Sequence, residues 1–160
     1  MKKLILVATM CVALVSLLAA PVVMAAPGGK DNPANDNPQN LYLYEKDASW
    51  NIVWGGAWGK YNYSLSGTTI TGPFNGHGLV PGTNYTLIYY PEPQTTWPWP
   101  VVTIGSGTAD ADGNVHIAGS ANLNVSSGIK IWLVLTGDIV SGKLSGWNPT
   151  KYLFEHNLIP

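Results

Sequence analysis

Between residues 57 and 65 the chain alternates strictly. Ala57, Gly59, Tyr61, Tyr63 and Leu65 fall at one parity, and Trp58, Lys60, Asn62 and Ser64 at the other. Successive side chains of a strand point to opposite faces, so this pattern predicts a half-buried strand. Residues 84–90 (NYTLIYY) are dense in β-forming side chains and predict a second. Residues 101–108 and 115–120 flank an Asp-Ala-Asp-Gly-Asn loop, and an Asp-Gly step tolerates positive φ, so a hairpin is expected there. Ile129, Ile131, Leu133 and Leu135 line one face of a further strand, and residues 152–159 form the last. Asn75-Gly76 and Pro81-Gly82-Thr83 read as turns. No stretch of about 11 residues or more keeps a helical period free of interior Gly or Pro. Short strands with turns every 8–12 residues or so predict an all-β, antiparallel β-sandwich, with a small barrel as the alternative.

The first residues obey a different pattern. Lys2 and Lys3 precede an apolar run from residue 4 to 20, broken only by Thr9 and Ser16. Pro21 follows, and then Val23-Met24-Ala25 offers small residues at the −3 and −1 positions of a cut after Ala25. This predicts a cleaved secretory signal over residues 1–25 and a secreted or cell-surface product with no remaining membrane span. The alternative is an uncleaved anchor, since about 20 apolar residues suffice to cross a bilayer. Residues 26–40 (APGGKDNPANDNPQN) lack any large apolar side chain and read as a flexible leader to a folded domain at 41–160. Cleavage would leave 135 of the 160 residues and remove Cys11 together with Met1, Met10 and Met24, all the sulfur in the chain. The exported domain would then have no disulfide, no thiol nucleophile and no thiolate metal ligand.

Composition narrows the partners. Charged residues make up 11% of the chain against a usual value of about 25%, and the formal net charge is −1. No basic footprint for nucleic acid exists. Arg is absent, so no bidentate guanidinium clamp can hold a phosphate or carboxylate substrate. The chain has 7 Trp and 8 Tyr but only 2 Phe, which makes indoles and phenols the main aromatic material of core and surface.

Two short motifs carry a resemblance. Leu79-Val-Pro-Gly-Thr-Asn-Tyr85-Thr-Leu87 resembles the L-x-P-G-T-x-Y stretch of fibronectin type III domains. That resemblance implies a tyrosine corner and a structural role for Tyr85. Thr108-Ala-Asp-Ala-Asp-Gly-Asn-Val115 resembles the T-A-D-x-D-G-x hairpin of bacterial immunoglobulin-like extracellular modules. Together they imply an immunoglobulin-like sandwich. The 73 residues after Leu87 exceed what a fibronectin module needs, so neither family's membership follows. The whole chain resembles small secreted prokaryotic proteins.

Candidate chemistry is sparse. Asp110, Asp112 and Asn114 place two carboxylates and an amide on one loop, a donor set that Ca²⁺ accepts. The spacing departs from the EF-hand, with Gly113 at the fourth position and Ala121 at the twelfth, so a hairpin tip capped by its own side chains is the competing reading. His77, His116 and His156 are scattered; a hydrolase would need His77 or His116 beside an Asp. No G-x-S-x-G elbow and no glycine-rich phosphate loop is present. Trp97-Pro-Trp99-Pro100 cannot form a central strand, because proline lacks the N–H a ladder needs, and an extended solvent-facing loop is expected. Its rigid indoles suit a glycan or an extracellular protein partner; the competing reading is a loop that folds back so that the indoles cap an end of the sandwich. Asn62, Asn84 and Asn124 head glycosylation sequons. The reading is therefore a secreted, non-enzymatic binding or structural module, cofactor-free, acting through Trp97 and Trp99. A small secreted hydrolase and a Ca²⁺-stabilised module are the alternatives.

Overall fold

The computed structural model describes residues 40–160. The expected signal segment and residues 26–39 of the expected leader lie outside the described residues, whereas Asn40 already opens the first strand. Twelve strands follow in chain order: β1 (Asn40–Tyr44), β2 (Trp58–Asn62), β3 (Ser64–Ser66), β4 (Thr69–His77), β5 (Asn84–Tyr89), β6 (Trp99–Pro100), β7 (Val102–Thr108), β8 (Val115–Asn122), β9 (Ile131–Leu135), β10 (Ile139–Val140), β11 (Lys143–Leu144) and β12 (Leu153–Glu155). Two single 3₁₀ turns, Thr136–Asp138 and Pro149–Lys151, are the only helical geometry among the described residues. The protein is all-β, and every pairing is antiparallel.

Nine strands make one curled sheet in the order β3-β4-β2-β1-β12-β9-β5-β7, with β8 also on β4. The alternation read from residues 57–65 is realised in β2 and β3: Gly59, Tyr61 and Tyr63 are buried, while Asn62 and Ser64 are exposed. Gly67, at φ +60, turns β3 into β4. Within β4 the partner changes from β3 to β2 around Gly72 and Pro73. A Cβ at Gly72 would overlap the Asn62 carbonyl oxygen, and its φ of +148 also demands glycine. Pro73 at this switch has no N–H to leave unpaired.

The hairpin expected around residues 110–114 takes another form. β7 draws its ladder from β5 and β8 draws its ladder from β4. The two arms instead meet across glycines. A Cβ on Gly105 would come within 2.8 Å of Ile117 and 2.9 Å of the Ala118 carbonyl, and one on Gly119 would overlap the Ile104 carbonyl. A bulge at Ile104, where the β5 partner steps from Gly105 to Thr103, bends β7 toward this contact. The sheet thus curls until its far strands touch.

The curl encloses the main core, built from Leu43, Tyr61, Phe74, Leu87, Ile117, Leu133 and their neighbours. The Tyr61 hydroxyl lies buried there without a hydrogen-bond partner. β5, β9 and β12 are covered on both sides, which is why they read as nearly unbroken apolar runs. Their outer residues Ile88, Trp132, Val134 and Phe154 join Tyr90, Val101, Leu144 and Tyr152 in a second core. A three-stranded sheet, β10-β11-β6, contributes Leu144 and Trp99 to that second core.

Candidate functional site

Trp97 and Trp99 belong to this second layer. Trp99 pairs through its backbone with Leu144 of β11, so the Trp-Pro segment ends in a two-residue strand on the edge of the small sheet. Edge placement is what its prolines permit. The loop before it is drawn back onto the molecule: Gln94 Nε2 donates to the Pro100 carbonyl at 2.8 Å, and Lys130 Nζ donates to Glu92 Oε1 at 2.5 Å. The two indoles consequently differ. Trp97 is 46% exposed, whereas Trp99 is half-buried against Tyr90 at 5.6 Å.

Around them the structure assembles rings from distant parts of the chain. Tyr90 stacks on Trp132 at 4.2 Å and 18°, forming a rigid floor. Trp99 contacts Trp97 at 4.8 Å and 82° and Trp147 at 5.6 Å and 84°. Trp147, 40% exposed, also touches Trp132, Tyr152 and Phe154. Trp50 continues the band, packing on Phe154 at 4.9 Å while remaining 54% exposed. Edge-to-face contacts of this kind are favourable because the ring edge is positive and the face negative. Trp97 and Trp99, expected on a solvent-facing loop, are thus nearly perpendicular to each other.

Trp147 is held by a polar clasp. Tyr152 Oη donates to Asp138 Oδ2 at 2.5 Å, and Asn148 Nδ2 donates to both Asp138 oxygens at 3.0 and 2.8 Å. The backbone N–H groups of Ser145 and Gly146 donate to the Asp138 carbonyl at 2.7 and 3.0 Å. A Cβ on Gly146 would overlap the Asp138 carboxylate, so glycine is needed for the loop to close this tightly. Burial, followed by the bond to Asp138, raises the Tyr152 phenol above its usual range, so it keeps its proton and remains the donor.

One acidic group in the neighbourhood has no signal in the sequence. Glu155 ends β12 beside Phe154, with Oε2 buried and unpartnered. Burial raises its carboxyl from 4.5 to about 7, against the opposing influence of Lys46, Lys130 and the Trp132 indole. Lys46 Nζ donates to the Glu155 backbone carbonyl at 3.0 Å and lies 5.8 Å from the Trp50 ring centre. In sequence Glu155 is one carboxylate among several; only the strand partners that cover it make it unusual.

The other candidates are dispersed. Asp110 Oδ1 accepts the N–H groups of Asp112 and Asn114 at 3.0 and 2.8 Å, so its carboxylate organises its own loop. Asn114 Oδ1 faces His77 Nδ1 at 2.8 Å, on the adjoining strand. His116 Nδ1 likewise meets Asn75 Oδ1 at 2.8 Å. Both imidazoles therefore have amides as partners; a hydrolase reading looks for an Asp there. Trp58 lies over His77 at 4.6 Å. No group of three or more His, Cys, Asp or Glu that could hold a metal ion occurs among the described residues. Asn62, Asn84 and Asn124 are all exposed, and Asn84 Oδ1 accepts a hydrogen bond from Thr108 Oγ1 at 2.5 Å. The Tyr85 hydroxyl accepts the Val80 N–H at 3.2 Å, a bond back across the turn that precedes its strand.

The chain matches no family model, no curated protein and no solved structure. Function must therefore be argued from the site itself.

Proposed function

We propose that this protein is a secreted, non-catalytic module of immunoglobulin-like build that binds glycan through the face formed by Trp97, Trp99 and Trp147. One observation carries the reading: exposed indoles from separate segments are gathered on one side and fixed there by the small sheet and the Asp138 clasp. Ring faces complement the C–H faces of sugars, and fixing them beforehand reduces the ordering that binding requires. The two halves of the curled sheet, β8-β4-β2-β1 and β12-β9-β5-β7, facing each other over one core, support the sandwich reading, as does the bond from Val80 to Tyr85.

The test is retention of the purified domain on microcrystalline cellulose, crystalline chitin, mixed-linkage glucan, xylan and galactomannan. At least one should bind, and Trp97→Ala should weaken that binding tenfold or more with the melting temperature nearly unchanged. Absence of Trp-dependent binding to every one of them overturns the reading.

A further inference from the structure

The planes of the indoles select among glycans. A flat polysaccharide surface, such as a crystal face, is met by rings lying in one plane. Trp97 and Trp147 each stand nearly perpendicular to Trp99, at 82° and 84°, so no plane presents Trp99 together with either neighbour. Trp99 is also the more covered of the set, while Trp97 and Trp147 are 46% and 40% exposed. A recessed ring that stands nearly perpendicular to both raised ones fits a ligand that offers apolar faces in more than one direction. A single polysaccharide chain does so, because successive sugar rings turn about their linkages.

Charge narrows the ligand further. The segments bearing and flanking these rings, residues 91–100, 130–135 and 138–148, contain two carboxylates, Glu92 and Asp138, and two ammonium groups, Lys130 and Lys143. Glu92 and Lys130 are paired with each other at 2.5 Å. The Asp138 carboxylate is occupied by Asn148 and Tyr152. These segments are therefore balanced in charge and hold no cationic cluster to attract a polyanion; Lys46 lies farther along the band, beside Trp50. Beside Trp97 the exposed hydroxyls of Thr95 and Thr96 are groups that hydrogen-bond sugar hydroxyls, while the Gln94 and Asn148 amide nitrogens are taken by Pro100 and Asp138.

We infer that the ligand is a single, neutral polysaccharide chain, seated across Trp97, Trp99 and Trp147, and neither a crystalline surface nor an acidic polysaccharide. This rests on the glycan-binding reading above. The experiment compares the wild-type domain on four probes: soluble mixed-linkage glucan and galactomannan by affinity electrophoresis, microcrystalline cellulose by depletion, and soluble polygalacturonate by electrophoresis in low and high salt. Intrinsic Trp fluorescence is followed in parallel. The expected result is retardation by a neutral soluble chain, insensitive to salt, with a fluorescence change that Trp97→Ala reduces. Trp-dependent depletion onto cellulose without retardation by soluble chains overturns the inference while leaving the glycan reading intact. Preference for polygalacturonate, weakened by salt, also overturns the inference alone. Failure to bind any of these probes overturns the inference, and the glycan reading falls with it when chitin and xylan also fail. The wild-type arms do not depend on a variant remaining folded, and a melting curve of Trp97→Ala shows whether its loss of signal comes from the ring or from the fold.

Discussion

Glu155 is a carboxyl group whose surroundings oppose its charge. Its folded value of about 7 lies above the ordinary 4.5, so the folded state holds a proton that the unfolded chain releases. Stability from this group is full below about 4.5 and is lost as pH rises toward about 7. The cost at alkaline pH is at most about 3–4 kcal/mol, at 1.36 kcal/mol per unit. Urea unfolding at pH 5 and pH 8 should show the loss, and Glu155→Gln should flatten it and gain stability at pH 8. A wild-type protein equally stable at both values would contradict this origin. Two tyrosines give a contrast at the same scale. Tyr61→Phe removes a buried hydroxyl that has no partner and should leave stability unchanged or raised by about 1 kcal/mol. Tyr85→Phe removes the acceptor of the Val80 N–H and should cost about 1 kcal/mol, read from the midpoint of a denaturant curve. Trp97 and Trp99 differ for the same reason. Trp97→Ala should be nearly silent in a melt, while Trp99→Ala should cost about 2–4 kcal/mol because that ring also packs on Tyr90.

Among the elements, the β7–β8 contact and the loop bearing Trp147 are the most demanding. Gly119→Ala would place a methyl group onto the Ile104 carbonyl, so β7 and β8 would have to separate. A loss of more than about 2 kcal/mol, or failure to fold, is expected. Gly137→Ala is the matched control, since nothing lies within 4 Å of its added methyl and its φ is not positive. Circular dichroism melts of the pair make the comparison. In the loop, Asp138→Ala removes the acceptor of the Asn148 amide and leaves the Tyr152 hydroxyl only its longer bond to the Gly146 carbonyl at 3.2 Å. It should lower stability by about 1–3 kcal/mol and broaden the signal of Trp147, which NMR of the indole N–H would detect. The strands themselves were legible wherever the chain kept a period: residues 57–65 and 84–90 became β2, β3 and β5, and Ile131, Leu133 and Leu135 line up through β9, with Ile129 in a single bridge to Ile159 before it, whereas the strand expected over residues 152–159 keeps only Leu153–Glu155. The Asp-Gly loop was legible as a reversal. That its arms would take β5 and β4 as separate partners was not, because partner choice depends on strands far away in the chain.

At the scale of the whole molecule, twelve short strands are drawn into one curled sheet and a smaller one, leaving two apolar cores on either side of β5, β9 and β12. The sequence by itself determined several strand-forming segments, the turns at 81–83 and 110–114 and the all-β class, because period and backbone preference act between neighbours along the chain; Asn75-Gly76, read as a turn, instead lies inside β4, where β2 and β8 pair with it on either side. It also marked the Trp-Pro segment as unfit for a central ladder, since proline lacks the N–H; the solvent-facing loop expected there instead ends in the edge strand β6 with Trp99 half-buried. Only the tertiary structure decided that Trp97 and Trp99 would stand nearly at right angles, that Trp147 and Trp50 would join them, and that Glu155 would be enclosed. Those outcomes follow from contacts between residues tens of positions apart. Ring orientation, burial and proton affinity are set by what lies across the fold, and no local pattern encodes that.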